Sequence, residues 1–298
     1  MVVTRMKFGR VVTALVTPFD EHGIDEVQLG NVLEHLIETG TDSVVVAGTT
    51  GESPTLSHEE KLWLFEKVVS LVKGRIPVIA GVGSNDTRSS IRLAKEAEAC
   101  GVDALLLVAP YYNKPSQEGL YQHFKAIANE TALPIMLYNI PGRTSINISA
   151  ETTLRLAQIE NIVAIKESSG DFTQISHIIR QKPEDFLLYS GDDVLLLPIL
   201  AIGGYGVVSV AAHVVGRDLQ QMIQSFLAGK VEFAARLHST LLPLFEGLFA
   251  TSNPVLVKRG LHEIGIPVGN VRLPLVGPNE EQEQLIVQIM SSLRKATV

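Results

Sequence analysis

Lys166 is the residue whose type and position most directly suggest covalent chemistry. It follows the apolar run of residues 162–165 and precedes Glu-Ser-Ser-Gly at residues 167–170, so we expect it at the end of a buried strand. Burial without a partner disfavours a charged ammonium, and an uncharged amine can attack carbonyl carbon to form a Schiff base. The alternative is a lysine that reaches solvent or pairs with a nearby carboxylate, and this stretch alone leaves both open.

Groups that could hold a carboxylate follow two other apolar runs. Thr49 and Thr50 stand between glycines in the sequence Gly-Thr-Thr-Gly-Glu, a turn whose hydroxyls and backbone N–H groups could bind an anion. Tyr138 ends a later run, and Arg143 follows it on a Pro-Gly loop. An arginine there is suited to bidentate carboxylate binding, although a surface salt bridge is the alternative.

Tyrosines and acidic residues follow two more runs. Tyr111 and Tyr112 come after Pro110, where an interface role is as consistent as a catalytic one. Asp192 and Asp193 could bind a metal ion, but adjacent side chains on one turn point different ways. The eight histidines are scattered, without His-x-His or His-Glu-x-x-His spacing, so we expect no metal site. A lysine, hydroxyls, a tyrosine and an arginine together favour an imine-forming enzyme that acts on a keto acid.

Eight short apolar runs must position these groups. They lack period-two alternation, which is typical of parallel strands buried on both faces. Helical patterns at residues 59–72, 87–99 and 117–129 lie between them, the first opening with a capping box at Ser57 and Glu60. Eight strand–helix units predict an α/β fold, the (β/α)8 TIM barrel, whereas a doubly wound sheet would place a Gly-rich fingerprint after its first strand. The predicted strands are residues 11–17, 43–47, 78–82, 104–109, 135–139, 163–166, 187–190 and 207–211.

The last part of the chain shows only helical periodicity. From residue 216 onward the pattern is interrupted near Pro243, at Asn253-Pro254 and across residues 265–278. This is more helix than a barrel needs for its eighth unit. We therefore predict a catalytic barrel at residues 1–230 and a C-terminal helical extension, residues 231–298, packed on it.

Composition excludes several classes of partner. The net charge is −7, and nucleic-acid binders need a basic stripe, so we expect no nucleic-acid partner. The longest apolar stretch, residues 194–202, is too short to span a bilayer, and residues 1–10 lack the apolar segment of a signal peptide. Cys100 is the single cysteine and cannot form an internal disulfide, which favours a reducing compartment. We expect a cytoplasmic protein with no membrane partner.

Three of these motifs resemble the pyruvate-dependent class I aldolase superfamily, and within it the dihydrodipicolinate synthase family. They are Gly-Thr-Thr-Gly-Glu at residues 48–52, Tyr-Asn-Ile-Pro-Gly-Arg-Thr at 138–144 and Ile-Lys-Glu-Ser-Ser-Gly-Asp at 165–171. The resemblance covers nearly the whole chain. It implies condensation of pyruvate with L-aspartate 4-semialdehyde to 4-hydroxy-tetrahydrodipicolinate, the first committed step towards diaminopimelate and lysine. It implies no cofactor, since the reactive group is a covalent imine with substrate pyruvate.

The resemblance also implies a role for each catalytic residue. Lys166 would form the imine, and the Thr50 hydroxyl with the backbone N–H groups of Thr49 and Thr50 would hold pyruvate's carboxylate. Tyr138 would be the general acid/base, linked through the Thr49 hydroxyl to Tyr112 of a neighbouring copy of the chain. A Tyr112 supplied by a neighbouring copy implies at least a dimer. The family is commonly a dimer of dimers, a homotetramer.

Second-substrate binding separates this family from its siblings. By resemblance, Arg143 would bind the semialdehyde's carboxylate, and Gly191 and Val208 would contribute pocket backbone. N-acetylneuraminate lyase and sugar-acid aldolases are the alternative, and they commonly carry a small or apolar residue where Arg143 stands. A barrel that has lost its activity and serves as a binding protein is a further alternative, because fold alone does not determine function.

Regulation by lysine is expected to be weak or absent. Inhibited members of the family commonly carry histidine where Lys61 stands and glutamate where Ser89 stands. An added ammonium and a missing carboxylate both disfavour a cationic effector. The positions that match the effector site are Ser53, Pro54, His58, Lys61, Asn85, Ser89 and Tyr111.

Overall fold

Eight parallel strands form a closed barrel in the computed structural model, which describes residues 8–296. The strands are β1 Val11–Ala14, β2 Ser43–Val46, β3 Val78–Gly81, β4 Ala104–Val108, β5 Ile135–Asn139, β6 Ile162–Glu167, β7 Leu187–Ser190 and β8 Gly206–Ser209. Each strand pairs with its sequence neighbours, and β8 closes on β1 with Val12 opposite Val208. The predicted (β/α)8 barrel and its eight strands are confirmed.

Helices connect the strands and continue beyond the last one. They are α1 Glu26–Glu38, α2 His58–Val72, α3 Thr87–Ala99, α4 Gln117–Ala128, α5 Pro141–Thr144, α6 Ala150–Leu156, α7 Phe172–Gln181, α8 Leu196–Ala201, α9 Ala212–Leu227, α10 Val231–Gly247, α11 Val255–Glu263 and α12 Glu280–Ala296. The predicted capping box is present at α2, where Ser57 accepts from the Glu60 backbone N–H and the Glu60 carboxylate accepts from that of Ser57. Within residues 8–296, no helix combines the length and apolar character that a membrane crossing requires.

The core has two layers because successive strand residues point to opposite faces. One layer packs between the strands and the surrounding helices. The other fills the inside of the barrel, which we call the lumen, as expected of a packed barrel core. The lumen layer includes Val12, Ala14, Val45, Ile79, Ala104, Leu106, Met136, Tyr138, Ala164, Leu187, Tyr189 and Val208.

The C-terminal helices pack on the barrel and on one another. Helix α10 contacts α9 and α12, and α11 contacts α12 and α9. The predicted interruption at Pro243 is wrong, since Pro243 lies inside α10. Burial of Leu241, Leu244 and Phe245 on that helix offsets the hydrogen bond that the proline removes. The interruptions before α11 and between α11 and α12 are confirmed, whereas the division at residue 230 stays a prediction.

Candidate active site

Lys166 is the penultimate residue of β6 and faces the lumen, two residues after the lumen residue Ala164. Its side chain is only 6% exposed. No ion pair within residues 8–296 involves Lys166; instead its Nζ lies 4.2 Å from the centroid of the Tyr138 ring. The two residues stand opposite each other in the β5–β6 register. Neither a solvent-reaching lysine nor a carboxylate-paired one fits this environment.

Glu167 follows Lys166 in β6 and is fully buried on the other face of the strand. Its carboxylate accepts hydrogen bonds from Asn139 Nδ2 at 3.1 Å, from the Ser169 backbone N–H at 2.7 Å and from Gln174 Nε2 at 3.2 Å. Burial raises the pKa of Glu167, and these hydrogen bonds act in the opposite direction. This network joins β5, β6 and α7, so it fixes the strand end that carries Lys166.

The turn after β2 carries the two predicted threonines. Its backbone is in the left-handed region at Ala47, with φ of 52°, and again at Glu52, with φ of 57°. The Glu52 N–H donates to the Thr49 carbonyl at 3.0 Å and closes the turn. Thr50 is buried and Thr49 is half-buried. The resulting tight turn presents hydroxyl and N–H groups at the carboxyl end of the strand, where barrel active sites lie.

Asn253 reaches this turn from the segment between α10 and α11, and the sequence reading missed it. Its Nδ2 donates to Thr50 Oγ1 at 2.8 Å across 203 positions of the chain. The Asn253 side chain is 6% exposed, and its Oδ1 has no hydrogen-bond partner within the described residues. In the sequence, Asn253-Pro254 indicates only a helix break, because no local pattern predicts the contact between Asn253 and Thr50.

Glu52 and Lys258 form a buried ion pair beside the same turn, also missed from sequence. Glu52 Oε1 lies 2.7 Å from Lys258 Nζ, and its Oε2 accepts from the Arg272 backbone N–H at 2.8 Å. Lys258 is 4% exposed and also donates to the Asn270 carbonyl at 3.0 Å. Burial lowers the pKa of Lys258, while Glu52 opposes that change. The C-terminal segment is thereby fastened to the turn that carries the threonines.

Gly191 lies against the Lys166 side chain, just after β7. A Cβ built on Gly191 would stand 2.9 Å from Lys166 Cε and 3.0 Å from its Cγ, and would also collide with Ser168 Oγ. The Gly191 N–H donates to the Glu167 carbonyl at 2.9 Å. Only glycine therefore allows the chain to approach the lysine this closely. Val208 is buried in β8 and belongs to the lumen layer.

Arg143 lies on the short helix α5 and is exposed. Within residues 8–296 it takes part in no ion pair, so the alternative of a surface salt bridge is not supported. Its neighbour Thr144 is buried, and its hydroxyl shares its one hydrogen between the carbonyls of Ile140 and Ile146, at 3.0 and 2.9 Å. These bonds hold the loop while leaving the guanidinium available to an anion.

Tyr112 lies on the surface of the chain, unlike Tyr138. It is 88% exposed, and its backbone has a φ of 75°, which is unusual for a bulky residue. Tyr111 beside it is also exposed. The described chain therefore buries Lys166, Tyr138 and Thr50 around one barrel end but leaves the Tyr112 ring open to solvent or to a second chain.

Asp192 and Asp193 point to different partners, as the sequence suggested. Asp193 is fully buried and accepts from the Ser209 hydroxyl at 2.5 Å and from the Val210 and Ala211 backbone N–H groups. Asp192 instead accepts from the Val194 backbone N–H at 3.0 Å. Burial raises the pKa of both carboxyls. Among the described residues, no group of three or more His, Cys, Asp or Glu is arranged to hold a metal ion.

Known proteins resemble this chain along nearly its whole length. A sequence profile of the Dihydrodipicolinate synthetase family matches residues 7–293. The 4-hydroxy-tetrahydrodipicolinate synthase of Bacillus velezensis is 56% identical over 289 residues, a match that covers 97% of this chain and 100% of that protein. A dihydrodipicolinate synthase from Cyanidioschyzon merolae, solved with lysine bound, has a TM-score of 0.95 and 49% identity, covering 96% of this chain and 98% of that one. A monomeric dihydrodipicolinate synthase variant has a TM-score of 0.94 and 38% identity, covering 96% and 97%.

Proposed function

This chain belongs to the Dihydrodipicolinate synthetase family, and from that premise we propose that it condenses pyruvate with L-aspartate 4-semialdehyde through an imine on Lys166. Membership makes it a lyase of the class I aldolase type. The product would be 4-hydroxy-tetrahydrodipicolinate, on the route to diaminopimelate and lysine. The observation that carries the proposal is a buried lysine at a barrel strand end, 4.2 Å from a tyrosine ring and without a carboxylate partner in the described chain.

Imine formation would begin with attack of Lys166 Nζ on C2 of pyruvate. The carbinolamine loses its hydroxyl as water and gives the protonated imine, which draws electrons from C3. Removal of a C3 proton leaves an enamine whose C3 attacks the aldehyde carbon of the second substrate. The amino group of that substrate then displaces Lys166 from C2, closing the ring and freeing the enzyme. The chain needs no cofactor for these steps, because the covalent imine supplies the electron sink.

Proton transfer would fall to Tyr138, whose ring stands beside Lys166. We assign Thr49 as the hydroxyl that links Tyr138 to Tyr112 of a neighbouring copy. Exposure of Tyr112 and its left-handed backbone support this assignment, since a strained and exposed aromatic residue is suited to insertion into a partner. A homodimer, or a homotetramer made of two dimers, is the proposed assembly.

Substrate binding would use both sides of the barrel end. The Thr50 hydroxyl and the Thr49 and Thr50 N–H groups hold pyruvate's carboxylate, with Gly191 and Val208 lining the pocket. Arg143 would take the semialdehyde's carboxylate in a bidentate pair. A sugar-acid substrate would instead need several groups that face hydroxyls. Arg143, which has no ion-pair partner among the described residues, favours the semialdehyde.

Lysine is proposed to inhibit this enzyme weakly or not at all. Lys61 stands at one of the positions that match the effector site, where its ammonium would repel a cationic effector. Ser89 cannot supply a carboxylate, and its hydroxyl already donates to Asp86 at 2.5 Å. Millimolar lysine should leave most activity, and a double variant with Lys61→His and Ser89→Glu should become more sensitive. Strong, cooperative inhibition of the wild type would overturn this proposal.

Borohydride reduction in the presence of pyruvate tests the imine. The wild type should gain one reduced pyruvate adduct at Lys166 by mass spectrometry, and Lys166→Ala should gain none. The absence of an adduct on the wild-type protein would refute the proposed function. Semialdehyde condensation assayed beside N-acetylneuraminate cleavage then separates the synthase from a sugar-acid lyase. The cytoplasmic location stays a prediction.

A further inference from the structure

Asn253 contacts the Thr50 hydroxyl and is assigned no role by the motifs or by the comparisons. A threonine hydroxyl has one hydrogen to donate and lone pairs to accept. Because Thr50 Oγ1 accepts from Asn253 Nδ2 at 2.8 Å, its hydrogen is left for another acceptor. The acceptor that the proposed function supplies is the carboxylate of pyruvate.

The second observation is the unpartnered amide oxygen of Asn253. Its Oδ1 is buried and has no donor among the described residues, which is costly for a polar atom in a protein interior. Native proteins seldom leave such an atom without a partner unless a ligand or an ordered water completes it. The Asn253 Oδ1 is therefore able to accept a hydrogen bond from a donor outside the described residues, either an ordered water or a ligand.

Two charged contacts hold the chain that follows Asn253 against the threonine turn and helix α2. Lys258 pairs with the Glu52 carboxylate on the turn itself. Farther along the chain, Arg272 makes a bidentate pair with Glu60 at 2.6 and 2.8 Å. These contacts restrict how far the 253 segment can move from Thr50, so the amide is positioned before substrate arrives.

We propose that Asn253 is a positioning residue for pyruvate, which orients the Thr50 hydroxyl so that its hydrogen points at the substrate's carboxylate. This inference rests on the proposed function and extends the active site into the C-terminal helical segment. The competing explanation is that Asn253 has only a structural role, in which its side chain holds the segment between α10 and α11 against the barrel.

The two explanations predict opposite orders for the pyruvate affinities of the Asn253→Asp and Asn253→Ala variants. Asn253→Asp has nearly the shape of the native residue. If Asn253 had only a structural role, folded Asn253→Asp protein should therefore bind pyruvate at least as well as folded Asn253→Ala protein. If Asn253 positions Thr50, Asn253→Asp should bind pyruvate less well, because an ionised carboxylate accepts the Thr50 hydrogen and repels pyruvate. We expect the pyruvate concentration that half-saturates borohydride trapping to rise ~10-fold in Asn253→Ala and ~100-fold in Asn253→Asp at neutral pH.

Acidification and a double variant complete the test. Lowering the pH should protonate the new aspartate and bring the Asn253→Asp value towards that of Asn253→Ala. Asn253→Ala combined with Thr50→Val should trap pyruvate as Thr50→Val alone does, since both changes remove one interaction. Ser252→Ala, an exposed neighbour, serves as control and should match the wild type.

Each outcome has one meaning. Pyruvate trapping by Asn253→Asp that equals the wild type, or that exceeds Asn253→Ala at neutral pH, would overturn the inference. Additive effects of the Asn253 and Thr50 changes would overturn it as well. If Asn253→Ala does not fold, the pH dependence of the nearly isosteric Asn253→Asp decides alone. A wild type that traps no pyruvate would instead refute the proposed function.

Discussion

Two lysines are buried within the described part of the chain, and they differ in the polar partners of their side-chain nitrogens. Lys166 lies 4.2 Å from the centroid of the Tyr138 ring, and Lys258 lies 4.4 Å from that of Phe19. Both amines therefore face an aromatic ring. Only Lys258 has a carboxylate, that of Glu52, at 2.7 Å. The difference between the two sites is the opposite charge, not the burial.

This difference indicates which lysine can react. An ammonium held by a carboxylate and a carbonyl is a satisfied structural group, and freeing it would strand a buried negative charge. The amine of Lys166 has no such partner in the described chain, and it stands at the carboxyl end of a barrel strand. A lysine buried without a carboxylate at that end is the stronger candidate for covalent chemistry.

Replacing each of the two lysines with methionine should affect activity at one site and stability at the other. Lys166→Met should abolish pyruvate trapping and lower condensation activity by at least ~10³-fold, because it removes the amine that we propose forms the imine. Its free energy of unfolding should change by no more than about 1 kcal/mol, since no carboxylate loses a partner. Mass spectrometry and urea unfolding measure the two effects. Residual trapping at another lysine would contradict the assignment.

Lys258→Met should show the reverse pattern. It leaves Glu52 buried without its cation, so the free energy of unfolding should fall by about 3–5 kcal/mol. The folded fraction should still trap pyruvate at Lys166. Adding Glu52→Gln removes the stranded charge and should restore part of the lost stability in urea unfolding. Equal stability of Lys166→Met and Lys258→Met would show that the carboxylate makes no difference.

Gly191→Ala tests whether Lys166 is positioned by close packing rather than by charge. The added Cβ would stand 2.9 Å from Lys166 Cε, so the side chain must shift. A displacement of about 1 Å can lower a rate ~10²-fold, and we expect that loss in the rate of pyruvate trapping. Gly30→Ala is the matched control, because the nearest atom to its added Cβ lies 4.0 Å away. A wild-type trapping rate in Gly191→Ala would refute this account.

Sequence alone predicted the strand-end half of the site much better than the C-terminal half. Lys166 and Tyr138 were predictable because apolar runs define the strands, and parallel strands bring their carboxyl ends to one edge of the barrel. Asn253 and the Glu52–Lys258 pair were not predictable, since each contact joins residues about 200 positions apart and leaves no periodic pattern. The left-handed backbone of Tyr112, with φ of 75°, was not predictable either, because no local sequence pattern indicates it.

His213 is a further basic residue in the interior, and its burial makes the stability of the protein depend on pH. His213 is fully buried; its Nδ1 donates to the Val210 carbonyl, and its Nε2 accepts from the Val16 backbone N–H. Burial, helped by His35, lowers the pKa of His213 from 6.5 to about 4. Between these values the unfolded chain binds more protons than the folded protein, so His213 makes stability fall as the pH falls.

Replacing His213 with glutamine should weaken that dependence while keeping a group able to donate and accept. The slope of unfolding free energy against pH should decrease by up to about 1.4 kcal/mol per pH unit between pH 6.5 and 4. Urea unfolding of both proteins across this range measures the slopes, and their difference cancels the carboxyl groups that the two share. Parallel slopes would mean that His213 binds protons equally in the folded and unfolded protein, and that burial does not lower its pKa.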